Sequence, residues 1–136
     1  MRAIIFIVTF TASALLLSCD DSADELVIPV LNGAYEGTFT VEYLANGQTF
    51  SNPVTVNFSG DSYSSTSGAD RFPAGGNGTF EMGENSVTFS DENFWTADFD
   101  WNLILSGEYT VTETDTQIIL SATKNDVGIY TYELMK

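Results

Sequence analysis

The stretch Tyr35-Glu36-Gly37-Thr38-Phe39-Thr40-Val41-Glu42-Tyr43 alternates residue by residue between apolar or small and polar side chains. A period of two places Tyr35, Gly37, Phe39, Val41 and Tyr43 on one face and Glu36, Thr38, Thr40 and Glu42 on the other. This is the pattern of a strand with one face in a core and the other in water. Asn46-Gly47 follows, a strong two-residue turn signal. Beyond Pro53 the alternation resumes, with Val54, Val56 and Phe58 against Thr55, Asn57 and Ser59.

Working outward, the same period runs to the C-terminus. Asn32-Gly33 reads as a turn ahead of the first strand. Gly60-Asp61 turns the chain into a weak polar strand, Ser62 to Ser67, carrying Tyr63. Phe80 and Met82 flank Glu81, and after Gly83-Glu84-Asn85, Val87 and Phe89 flank Thr88. Trp101, Leu103, Leu105, Gly107, Tyr109 and Val111 form the longest run of period two. Thr114-Asp115 leads into Ile118, Leu120 and Ala122, and Asn125-Asp126 into Gly128, Tyr130, Tyr132 and Leu134. Gly68 to Gly78 and Asp91 to Asp98 are irregular and read as loops. The sum is about eight short strands joined by hairpin-sized turns, with no helix and no long crossover. The expected fold is all-β: an antiparallel up-and-down barrel, which removes both sheet edges. A β-sandwich is the alternative.

The N-terminus has a different character. Met1-Arg2 is followed by an uncharged, mainly apolar run from Ala3 to Leu17, then Ser18 and Cys19, the one cysteine in the chain. Fifteen residues of helix span about 22 Å, short of the roughly 30 Å hydrocarbon core, and no basic stop-transfer flank follows. Leu16-Leu17-Ser18-Cys19 resembles the lipobox of bacterial lipoproteins. That resemblance implies cleavage before Cys19, a diacylglycerol on its sulfur and commonly a third acyl chain on the new amino group. Two or more chains make a stable anchor, whereas one holds only marginally. A plain secretory signal is the rival, but it leaves Cys19 without a partner.

Three parts follow: residues 1–18 as lipoprotein signal peptide, 19–31 as lipidated N-terminus and tether, and 32–136 as the barrel domain. Asp20, Asp21, Asp24 and Glu25 behind the cysteine resemble a surface-export signal; Asp20 alone also fits a rule that retains lipoproteins in the inner membrane. The implied location is the cell envelope, as an outer-membrane lipoprotein exposed at the surface. Asp21-Ser22-Ala23 resembles a bacterial O-glycosylation site with Ser22 as acceptor, against the plainer reading of a solvated tether.

The part after residue 18 holds three bases, Arg71, Lys124 and Lys136, against nineteen acids, a formal charge of −16. Nucleic acid is a poor partner for such a surface, because binding it rests on neutralising phosphates with Lys and Arg. Anionic lipid headgroups also repel it, so the membrane partnership comes through the N-terminal lipid.

A lipobox followed by an eight-stranded meander resembles the small bacterial lipocalin-like lipoproteins. The lipocalin signature is Gly-x-Trp at the first strand, with an Arg near the last strand packed over that ring. Here Gly33-Ala34-Tyr35 stands in the first place, with Tyr for Trp, and Lys124 and Lys136 are the bases near the C-terminus. The resemblance implies a small apolar ligand in the barrel; a shared fold does not by itself assign one.

Catalytic chemistry is thinly represented. With no histidine and one cysteine, the commonest general base, Cys–His pairs and His-bearing zinc sites are missing from the chain. Asp98 and Asp100, placed on one strand face, leave a carboxylate-based hydrolase as the enzymatic alternative. Asp98-Phe99-Asp100-Trp101-Asn102 copies the opening of a calcium loop, but Leu103 stands at the required Gly and Tyr109 at the closing Glu. The expectation is a non-enzymatic protein with no cofactor and no metal.

The candidate ligand-binding residues are Arg71, Phe72, Phe94, Trp95, Tyr109 and Tyr130. Tyr109 and Tyr130 lie on the apolar phase of their strands and either line a pocket or fill the core, since an eight-stranded barrel is only just wide enough for its own side chains. Arg71 and Phe72 lie in the first irregular loop, Phe94 and Trp95 in the second. In an up-and-down meander, alternate connections emerge at one end, so both loops belong to one rim. There Arg71 either anchors a carboxylate or phosphate head or pairs with a neighbour such as Asp70. Two functions compete: binding a small apolar or amphipathic molecule in or at the mouth of the barrel, or serving as a filled-barrel subunit of a surface complex. A continuous internal cavity favours the first, and a packed interior with an exposed aromatic patch favours the second.

Overall fold

The computed structural model describes residues 28–96 and 98–136. The lipobox, Cys19, Ser22 and the acidic tether lie outside the described residues. Eight strands follow in order: β1 (Gly33–Tyr43), β2 (Thr49–Ser59), β3 (Ser62–Ser65), β4 (Gly76–Met82), β5 (Ser86–Asp91), β6 (Gly107–Glu113), β7 (Ile118–Lys124) and β8 (Gly128–Met135). Each pairs antiparallel with the next, and β8 returns to β1, so the sheet closes as an up-and-down barrel. The sandwich alternative is excluded by that closure.

Register follows the alternation in the sequence. In β1, Tyr35, Phe39 and Val41 are buried while Glu36, Thr38 and Glu42 face water. Pro53 lies within β2 opposite Thr38 but beyond the end of the β2–β3 ladder, where β2 has a neighbour on one side only. That is where a strand tolerates a residue without an N–H. Gly33 is no turn residue: it opens β1 opposite Phe58, with a φ of +96°. Gly37 shares the inward face because β8 passes too close for a side chain; a Cβ there would collide with the Glu133 carbonyl.

The interior is filled with rings. An unbroken chain of aromatic contacts runs Tyr35–Phe58–Phe89–Tyr109–Tyr132–Phe39, with centroids 4.9 to 6.3 Å apart. Edge and tilted geometries of this kind stabilise beyond the area they bury. Val54, Val56, Val87, Leu120 and Leu134 close the spaces between them.

Candidate functional site

Antiparallel alternation sorts the connections into two ends. One end, the base, carries the start of β1, the end of β8 and the three short turns after β2, β4 and β6. The other end, the top, carries the connection after β1, that after β7 and the two long ones, residues 66–75 and 92–106. The long connections meet, as a meander requires. A parallel bridge joins Gly75 to Ile104, the Leu105 amide donates to the Gly75 carbonyl at 2.8 Å, and the Ala74 amide donates to the Leu103 carbonyl at 3.0 Å.

The long run read as one strand from Trp101 to Val111 is broken. Asp100 caps a 3-10 turn over Trp101–Leu103 by accepting from the Asn102 amide at 3.0 Å, and β6 starts only at Gly107, whose φ of +87° kinks the chain. Asp98 and Asp100 therefore share no strand face. Leu103, Ile104 and Leu105 instead fold inward and are buried as a plug across the top. The period of two in Trp101, Leu103 and Leu105 copies a strand, but Ile104 between them is buried as well and Trp101 is exposed, so no alternating face exists.

Polar side chains pin this plug. The second oxygen of Asp100 accepts from the Tyr130 hydroxyl at 2.7 Å and the Tyr43 hydroxyl at 3.1 Å. The Tyr63 hydroxyl donates to the Leu105 carbonyl. Lys124, at the end of β7, points its ammonium to the carbonyls of Asn102 (3.1 Å), Ile104 (3.1 Å) and Ser106 (2.8 Å). It fills an opening in the wall, since the β6–β7 ladder covers Thr110–Glu113 and stops short of Lys124. Its charge also lies 4.7 Å from the Tyr109 ring centroid, within cation–π range. Burial lowers the Lys124 pKa to about 8, opposed by the nearby Asp100 charge. Burial, reinforced by Asp100, pushes Tyr43 up to about 12 and raises Tyr130 further.

Two of the six candidate residues belong to this interior. Tyr109 and Tyr130 are 1% and 0% exposed beneath the plug and fill the core. The Tyr109 and Tyr132 hydroxyls are buried with no hydrogen-bond partner, and burial raises both pKa values.

The other four lie on the rim, in two groups. Arg71, Phe94 and Trp95 line one cleft of about 330 Å³ with Ser67, Ala74 and Thr96. Phe94 is 92% exposed. The Trp95 indole N–H donates to Asp91, which also accepts from the Asn77 amide at 2.9 Å and so ties the cleft wall to β4. Trp95 meets Phe99 edge-on, Phe99 leans on Trp101, and the Arg71 guanidinium lies over the Phe99 ring at 4.6 Å. Arg71 does not pair with Asp70. Phe72 turns the other way and stacks on Phe50 at 4.5 Å. Phe99, Asp100, Asn102 and Lys124 escaped the list of candidates. The first three lie in the stretch that copies a calcium loop, and Lys124 carries no local signal. A smaller cleft of about 150 Å³ at the base involves Tyr35, Gln117 and Lys136 and presents no exposed ring.

No protein-family model, curated protein or solved structure matches this chain.

Proposed function

We propose that the chain is a lipid-anchored, non-catalytic interaction module of the cell envelope whose recognition surface is the top rim and not the lumen. The observation that carries this reading is the occupied interior: a continuous aromatic core under a plug held by Asp100 and Lys124. A guest inside would have to displace both. The exposed rings of Phe94 and Trp101 lie at the opposite end from the start of β1, so a tether running to a lipid on Cys19 leaves them facing away from the membrane. Exposed aromatic residues beside an Arg are the composition of interface hot spots.

The lipid anchor rests on the Leu16-to-Cys19 motif, and Cys19→Ser should release the protein from membranes. Kinship with the lipocalin-like lipoproteins draws support from the closed eight-stranded barrel and from Lys136, which stands over the Tyr35 ring at 5.8 Å where the signature has Arg over Trp. The second reading, an amphipathic small molecule at the mouth, is favoured by the makeup of the Arg71 cleft, where a cation lies beside the Phe94 and Trp95 rings.

A photo-crosslinking residue placed at Phe94, and in a separate variant at Glu84 in the base turn after β4, tests the assignment in cells. Adducts with another envelope component from Phe94 and none from Glu84 are expected. Adducts from Glu84 alone would contradict it.

A further inference from the structure

We propose that the Arg71 cleft binds a carboxylate joined to a flat apolar body, a proposal that rests on the rim being the recognition surface. The described residues hold three bases and fifteen acids. Lys124 is consumed by three carbonyls, and Lys136 lies at the base over Tyr35. Arg71 alone is exposed at the top, and no carboxylate among the described residues pairs with it. Its guanidinium is held by the Phe99 ring, and its amide donates to the Gly68 carbonyl at 3.3 Å.

That arrangement leaves a positive group open to an anion. Asp70 and Arg71 both take left-handed backbone angles, φ +52° and +65°, uncommon for residues with a Cβ. The guanidinium carbon lies over the ring and no hydrogen bond among the described residues occupies its N–H groups, which match the two oxygens of a carboxylate. Phe94 and Trp95 line the same cleft beside Ser67 and Thr96, and their rings are the apolar surface open to whatever carries the carboxylate. Charge selects between oxyanions. The exposed carboxylates of Asp70, Glu92 and Asp98 stand on the same two connections, so a singly charged, planar carboxylate is tolerated better than a dianionic phosphate. Two sources supply this chemistry: a free aryl carboxylate, or a polypeptide C-terminus ending in an aromatic residue.

Titrating the purified full-length chain with phenylacetate, phenylacetamide and phenethylamine, followed by NMR at the Arg71 guanidinium and Trp95 indole N–H signals, tests the proposal. Phenylacetate should saturate, with the amide and the amine weaker by at least about tenfold, and Arg71→Gln should lose at least about tenfold in affinity while Arg71→Lys retains part. Arg71 is exposed, so these variants leave the core intact. Equal binding of the amide or amine, no saturable phenylacetate binding, or full binding by Arg71→Gln would overturn it. The tripeptide Ala-Ala-Phe with a free terminus binding more tightly than phenylacetate, and losing affinity when amidated, assigns the polypeptide source; equal affinity assigns the small molecule. Loss of carboxylate binding together with Phe94-specific crosslinking would remove this proposal and leave the rim assignment standing.

Discussion

The Tyr130 hydroxyl donates to the Asp100 carboxylate across 2.7 Å, tying the last strand of the barrel to the connection that closes its top. A neutral donor on a charged, partly buried acceptor makes a stronger hydrogen bond than a neutral pair. Tyr130→Phe should lower unfolding free energy by about 2 kcal/mol, read from urea denaturation. A change near zero would mean that the plug is held by packing alone.

Lys124 gives a second handle on the same plug. Lys124→Met keeps most of the stem but leaves the carbonyls of Asn102, Ile104 and Ser106 without their donor. A loss of about 1–3 kcal/mol is expected, as for orphaned buried acceptors. Amide exchange should accelerate at Leu105, whose N–H bonds Gly75 across the two connections, and stay slow at Phe39 in β1. Uniform acceleration would show that Lys124 supports the whole barrel and not the plug.

Tyr132 should behave oppositely to Tyr130. Its hydroxyl is buried with no hydrogen bond of good geometry and only a weak contact with the Tyr109 hydroxyl, so the fold recovers little of its desolvation. Tyr132→Phe keeps the ring contacts with Phe39 and Tyr109 and is expected to be neutral or stabilising by up to about 1 kcal/mol. A loss as large as that of Tyr130→Phe would refute this assignment.

Most of the barrel was legible in the sequence, because a half-buried strand writes its own period: Tyr35 to Tyr43 and Gly128 to Leu134 gave the correct inward face. The plug was not legible. Trp101, Leu103 and Leu105 alternate like a strand, and only Asp100 as a cap and Gly107 at positive φ break the run. On the rim, the two loops could be brought together by connectivity alone, but the contact of Arg71 with Phe99 is a matter of side-chain reach that no local pattern records. Lys124 looked like any strand-end lysine because its partners are backbone carbonyls, which have no sequence signature.

Alkaline pH should unfold the barrel by a route set by its tyrosines. Tyr43 is raised from 10.0 to about 12, and Tyr63, Tyr109, Tyr130 and Tyr132 are raised further, in each case first by burial. The folded state holds these protons longer than the unfolded chain, so their stabilisation is complete below pH 10 and is lost as pH rises through the folded values. Lys124 acts in the opposite sense. Its pKa falls from 10.5 to about 8, so between those values the unfolded chain binds more protons and stability rises with pH. Melting temperature should therefore increase gently from about pH 8 and fall steeply above pH 10, together with tyrosinate absorbance. A monotonic fall from pH 8 in the wild type, unchanged in Lys124→Met, would contradict the Lys124 contribution.

Native mass spectrometry of the protein purified from its own envelope, in parallel with Phe94→Ser/Trp95→Ala, is the most direct test of a filled barrel that recognises through its rim. The account predicts either no co-purified small molecule or one that the double variant no longer carries. A guest retained at full occupancy by the double variant would place binding inside the barrel and contradict it.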